Sequence, residues 1–228
     1  MAGGLWARAR WSLRSGLVGV MLVSAVALGV GVATPAAADT RRDSIRVLNS
    51  LPVSVERSAG YDRDLFRHWS DLDGDGCNTR EQVLIDERRS GEVRGCDVAG
   101  GRWRSTYDGD VTSNPSSFDI DHYVPLKEAW DSGAWRWNAA TRERFANDLG
   151  FAGALIAVSA SSNRSKSDRD PAEWLPERGV CKYAKTWVAV KYRWRLAVDS
   201  TEKSELRRIL RGCSSKMRVP SIARIVTQ

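Results

Sequence analysis

Histidine and paired cysteine are scarce in this chain. Its 228 residues include two histidines, His68 and His122, and four cysteines, none of them in a C-x-x-C pair. That shortage speaks against a structural zinc cluster, which draws four such ligands from short spacings. No repeat or low-complexity tract divides the chain. Charge of one sign is not concentrated either, because 35 Lys and Arg are interspersed with 28 Asp and Glu, a pattern that reads mostly as a solvated surface.

What is there begins with a leader. Arg8, Arg10 and Arg14 form a basic front, Leu17 to Val32 an apolar core broken by small residues, and Ala36-Ala37-Ala38 an A-x-A cleavage site. These are the three parts of a secretory signal. An uncleaved anchor is the alternative, since the apolar run is borderline for a span of about 20 residues. The glycines, alanines and processing site favour cleavage, and so export without lasting membrane association. Residues 1–38 are therefore read as a signal peptide and 39–228 as a single domain with its own core. Three of the 35 basic residues leave with the leader, so 32 face 28 acidic ones, a net of +4. Such a balance suits a polyanionic partner but argues only weakly for one.

Export brings the cysteines into an oxidising compartment, where two disulfides are the natural outcome. Of the three possible pairings, Cys77 with Cys96 and Cys181 with Cys213 are favoured because each brackets one compact segment.

Three stretches follow one another along the mature chain. Residues 39–90 read as a small helical lobe: Leu65, Phe66 and Trp69 fall at helical spacing, and TREQVLIDER from Thr79 starts a helix with Thr79 as N-cap and Gln82 three residues on. In 91–175, Gly-rich turns separate Arg102 to Tyr107 from Phe118 to Val124, which predicts a β-hairpin or small sheet. Helical spacing returns after Pro125 and over Ala139 to Asp148, and a short apolar run, Ala154 to Val158, leads into the polar segment Ser159 to Arg169. Residues 176–228 are mostly helical. Trp187, Val190 and Trp194 recur at helical period, and a second helix starts at Asp199, with Glu202 at N3, and stops at Gly212. Those tryptophans read as core rather than as a base-stacking platform.

Two segments carry the chemistry. DIDHYVPL, Asp119 to Leu126, places two carboxylates and a histidine in an otherwise apolar run. A half-buried edge strand with a wet face explains the alternation equally well. About forty residues downstream, NRSKSDRDP sets Asn163 in a basic turn. Together they supply what one-metal phosphodiester hydrolysis needs. A neutral imidazole, His122, can take a proton from water near ambient pH. Oxygen ligands, Asp121 and Asn163, suit a hard cation such as Mg²⁺ or Mn²⁺, and Arg164 and Lys166 can hold phosphate oxygens. Adjacent strand residues point to opposite faces, so Asp121 and His122 share a pocket only if the strand bends or ends there; Pro125 predicts that it does.

These motifs resemble the HNH, or His-Me finger, endonucleases, in which a ββα-metal hairpin presents D-H-x-x-P and the following helix the last ligand. The run from Asn163 also resembles the HNH domain of CRISPR RNA-guided nucleases. DGDGCNTR, DHYVPLKEAWDSGA and SNRSKSDRDPAEW together are similar to secreted actinobacterial proteins related to the GmrSD nuclease domain, over most of the mature chain. The resemblance implies His122 as general base, Asp121 as metal ligand and Asn163 at the final position of the H-N-H pattern, with products ending in 5′-phosphate and 3′-hydroxyl. It also makes Asn147 the middle asparagine that pins the hairpin loop, although the spacing from Asn147 to Asn163 is longer than in compact HNH domains.

The expectation is thus an α+β protein with a ββα-metal core among helices, stapled by two disulfides. It is expected to be a secreted monomer that cleaves nucleic acid, DNA rather than RNA, through backbone contacts and without strong sequence choice; retention at the cell wall stays open. The alternative is a non-catalytic exported protein that binds nucleic acid or calcium. Asp71, Asp73 and Asp75 resemble the start of an EF-hand loop and are a candidate Ca²⁺ site, but position 12 falls on Gln82. His68 reads as a packed or surface histidine.

Overall fold

A computed structural model describes residues 41–98 and 100–228. The expected leader lies outside them, and the described residues fall within one unit, Asp39–Gln228. Helices and three small antiparallel sheets make an α+β fold. The elements run β1 (Arg41–Asp43), α1 (Ser44–Ser50), α2 (Thr79–Glu87), β2 (Trp103–Arg104), β3 (Val111–Thr112), β4 (Phe118–His122), α3 (Leu126–Asp131), α4 (Ala139–Ala146), β5 (Leu155–Ser159), α5 (Ala160–Lys166), α6 (Val180–Trp194), α7 (Ser200–Arg211) and β6 (Lys216–Arg218). The sheets pair β1 with β6, β2 with β3, and β4 with β5. Among the described residues no helix is long and apolar enough to cross a membrane.

The β4–β5 pair sits between two apolar clusters. Phe118 and Ile120 of β4, with Leu155 and Ala157 of β5, pack against Val83 and Leu84 of α2 and Trp103 of β2. Ile156 and Val158 face the larger cluster around α6, with Trp187, Val188, Val190 and Trp194. Burial on both faces explains why β5 reads LIAVS, a continuous apolar run rather than an alternating one. It also explains the partner. Of the expected β-hairpin or small sheet, the two segments 102–107 and 118–124 do not pair with each other: Trp103–Arg104 forms a small sheet with Val111–Thr112, while Phe118–His122 takes the apolar strand Leu155–Ser159.

Three local expectations shift. Arg63 to Trp69 makes only a 3-10 turn over Arg63–Leu65, and Trp69 adopts a left-handed backbone, φ 63°, which no helix continues through. The N-cap of α2 is Asn78, in a capping box with Glu81; Thr79 instead donates its hydroxyl to the carbonyl of Ser70. The polar segment after β5 is not a turn but α5, capped by the Ser159 hydroxyl at the amide of Ser162. The box of Asp199 and Glu202 starts α7 as expected, with Gly212 at its end.

The disulfides join Cys77 to Cys96 and Cys181 to Cys213. One tethers the loop before α2, the other ties the start of α6 to the end of α7. Inside the helical half, Lys191 of α6 is fully buried, and its ammonium meets Glu128 and Glu202 at 2.6 Å each. Such a charge is tolerable only with partners of this kind.

Candidate active site

The register of β4 with β5 fixes the geometry. It runs unbroken from Phe118↔Ser159 to His122↔Leu155, so side chains keep alternating to the last pair. His122 turns to the α2 side, and Asp119 and Asp121 to the side covered by α5. The bend that would let Asp121 and His122 share a pocket is absent. Even Tyr123 still donates its amide to Ala154 at 2.9 Å, so Pro125 ends the strand too late to reorient either side chain.

His122 is 7% exposed. Its Nε2 lies 2.8 Å from the carbonyl oxygen of Ala146. A carbonyl oxygen can only accept, so Nε2 carries the hydrogen and Nδ1 keeps its lone pair. Burial lowers the imidazole pKa to about 3 despite the Ala146 bond, with Arg63, His68 and Lys166 adding to the shift. The ring is therefore neutral at ambient pH, the form a proton acceptor needs.

Trp69 lies beside it, ring centroids 5.8 Å apart. Asn147 holds that wall: Oδ1 accepts the Ser70 amide at 2.9 Å, and Nδ2 donates to the carbonyls of Arg67 and Glu143 at 2.8 Å. Asn147 makes no hydrogen bond to His122. It joins the segment carrying Trp69 to the end of α4, where the neighbouring Ala146 carbonyl orients the imidazole. His68 is half-buried, its Nδ1 2.9 Å from the Phe66 carbonyl.

On the other face Asp121 is enclosed. Lys166 donates to Oδ1 and Oδ2 at 2.8 and 2.9 Å and to the His122 carbonyl at 2.9 Å, and the Tyr107 hydroxyl donates to Oδ2 at 2.6 Å. Burial raises the Asp121 pKa and lowers that of Lys166, each opposed by the other's charge. Desolvation thus outweighs the attraction, as buried ion pairs commonly show. This placement corrects the expectation for Lys166: it is fully buried and does not reach toward a phosphate, because all three of its hydrogens are spent inward. Arg164, in the same helical turn, is exposed.

Asn163 is brought not to Asp121 but to Asp119, its Nδ2 donating to Oδ2 at 3.1 Å. Both are half-buried. Asp119 was passed over in the sequence although its period-two relation to Asp121 assigns it to the same face. Tyr107, Trp69 and Asp108 gave no signal, since tertiary contacts alone bring them in. Burial works against charge on Asp108, but hydroxyl bonds from Ser159 and Ser162 and the Asp110 amide hold its carboxyl well below the usual range. Asp71, Asp73 and Asp75 place one oxygen each within 4.8 Å of one another. All three are exposed, and Asp71 spends both oxygens on the amides of Gly74 and Gly76.

Comparison with known proteins gives one family and one relative. Residues 80–209 match the family described as GmrSD restriction endonucleases, C-terminal domain. An "Uncharacterized secreted protein" of Arthroderma benhamiae is 39% identical over 195 residues, covering 84% of this chain and 95% of the relative. No solved structure matches. Secretion holds for this chain as its relative's name states of that protein, in keeping with the expected leader. The matched residues contain β4, β5, α5 and the side chains of His122, Asp119, Asp121, Asn147, Asn163 and Lys166, and the chain belongs to the family of GmrSD restriction endonuclease C-terminal domains.

Proposed function

We propose that the chain is a secreted, metal-dependent endonuclease of the HNH type, with β4, β5 and α5 as its ββα-metal unit. It hydrolyses phosphodiester bonds of nucleic acid, DNA in preference to RNA, with little sequence choice. One observation carries this reading. His122 is neutral, tautomerically fixed by the Ala146 carbonyl and left with Nδ1 as an acceptor, at the end of a strand in a nuclease-related family.

His122 takes the proton of the attacking water at Nδ1. Asn147 acts on it at one remove, by holding Ser70 and Arg67 and thereby the wall at Trp69. Arg164, exposed beside Asn163, contacts phosphate. The donor chemistry near α5 fits a hard cation, since Asp119 and Asn163 offer oxygens at a half-exposed position. A bound Mg²⁺ or Mn²⁺ would polarise the phosphate and stabilise the leaving alkoxide. Asp121 joins that set only if its ion pair with Lys166 opens. Because His122 and the α5 residue Asn163 lie on opposite faces of β4, a phosphate that meets both lies at the strand's edge.

The lock of Lys166 on Asp121 is also the observation favouring the other reading, an exported protein that binds nucleic acid without cutting it. Incubating the mature chain with supercoiled plasmid in MgCl₂ or in EDTA, beside His122→Ala, separates the two. Nicking that needs Mg²⁺ and is lost in the variant supports the enzyme; retarded but intact plasmid supports binding alone.

A further inference from the structure

A second acidic centre lies away from β4, in a cavity of about 460 Å³ bordered by the loop after α1 at Glu56, by α3, by the loop after α5 and by the start of α7. Seven of its twelve lining residues are Asp or Glu and two are Lys or Arg. Glu56, Asp170 and Asp199 each place one carboxylate oxygen within 4.8 Å of the others. Two of these side chains are already oriented by backbone bonds. Asp170 Oδ1 accepts the amides of Ala172 and Glu173, and Asp199 Oδ1 those of Thr201 and Glu202. In each case the other oxygen has no hydrogen bond among the described residues.

Acidic clusters alone are common, and the independent observation is Asp131. It lines the same cavity and is 4% exposed, yet its Oδ1 is buried without a hydrogen-bond partner. The one ammonium at hand, Lys127, bonds to Asp131 Oδ2. A buried carboxylate oxygen left unpaired is costly, so the fold has kept an uncompensated acceptor beside three converging carboxylates.

We propose that this cavity binds a calcium ion through Glu56, Asp170 and Asp199, with Asp131 and water completing the shell. Oxygens on opposite sides of a calcium ion are about 5 Å apart, so the trio needs no rearrangement to share one. Calcium takes 6–8 oxygens in flexible geometry, whereas Mg²⁺ demands a tight octahedron, and a cavity of this size has room for the waters. Extracellular modules bind calcium with Kd of about 10⁻⁴–10⁻³ M, the range appropriate to a secreted chain. The site is independent of the nuclease reading.

Calorimetric titration of the mature chain with CaCl₂, together with Tm at 0 and about 5 mM CaCl₂, tests it. The expected result is saturable binding and a Tm rise of several degrees, both reduced at least tenfold or abolished in Glu56→Gln and Asp170→Asn. Asp73→Asn, in the exposed aspartate loop, should behave as the parent. Glu56 is exposed, so its variant folds even if Asp170→Asn does not. Absence of heat and shift in the parent, equal shifts in parent and Glu56→Gln, loss of the effect in Asp73→Asn, or a larger response to MgCl₂ would each overturn the assignment.

Discussion

The ammonium of Lys166 is clamped between both carboxylate oxygens of Asp121, with the two side chains 0% and 6% exposed. Four contacts converge there: two to Asp121, one to the His122 carbonyl, and the Tyr107 hydroxyl from the far side. The pair ties the first helical turns after β5 to the end of β4. It therefore holds the candidate site in shape whether or not Asp121 ever touches a cation.

Removing one partner of this pair should cost far more than removing both. Lys166→Met leaves a buried carboxylate with only Tyr107 to meet it, and a loss of about 3–5 kcal/mol is expected. Asp121→Asn combined with Lys166→Met should recover more than half of that loss. Urea unfolding under non-reducing conditions measures both, and equal losses in the single and double variants would show that the ion pair is not the source.

Asp119 and Asp121 should separate function from stability. Asp119→Asn changes a half-buried side chain bonded to Asn163 and is expected to lower Mg²⁺-dependent plasmid nicking at least tenfold with Tm nearly unchanged. Asp121→Asn is expected to lower Tm by several degrees, because it leaves Lys166 without its counter-charge. If Asp119→Asn cuts at the parent's rate while a refolded Asp121→Asn does not, the cation belongs at Asp121 and the Lys166 pair must open for catalysis.

Asn147 should act through position. Asn147→Ala leaves the Ser70 amide without its acceptor and removes two donors, a change worth about 2 kcal/mol. Cleavage should fall mainly in kcat, since the imidazole loses its orientation while phosphate contacts remain. Asn147→Asp, which keeps the acceptor for Ser70, should retain more activity than the alanine variant; identical kinetics in the two would remove the positioning role.

Glu87 sets a pH dependence. It ends α2 and accepts the Ala157 amide at 3.0 Å, and burial raises its pKa from 4.5 to about 7 despite that bond. Between those two values the folded chain holds a proton that the unfolded chain has released, so the stability that Glu87 confers is complete below about 4.5 and fades as pH rises through 7. Glu87→Gln keeps an acceptor for Ala157 and cannot ionise. It should exceed the parent at pH 8 by on the order of 1 kcal/mol after discount for partial exposure, with the difference closing at pH 4.5. Chemical denaturation at the two pH values is the check, and a pH-independent difference would place the effect elsewhere.

Much of this molecule could be read in advance where the signal is local. The capping pair Asp199 and Glu202, the apolar period around Trp187 and Trp194, and the bracketing cysteine pairs each depend on residues close in the chain. Strand partnership is not legible in this way. Nothing near Phe118 says whether Trp103 or Leu155 lies alongside, because that choice is made by which faces are buried against α2 and α6. The role of Lys166 was misread for a similar reason: in sequence it sits among basic, polar residues that look solvated, and only the seating of α5 on β4 carries it inward.

By itself the sequence determined the chemical inventory: one histidine next to a carboxylate at the close of a strand, an asparagine with basic neighbours on the next helix, and four cysteines suited to an oxidising compartment. Tertiary structure alone decided which of those groups meet. An unbroken register keeps His122 and Asp121 on opposite faces of β4, and burial of Asp121 demands a counter-charge that Lys166, forty-five residues on, supplies. Pairing of that kind follows from excluding water at a distance along the chain, and no short-range pattern encodes it.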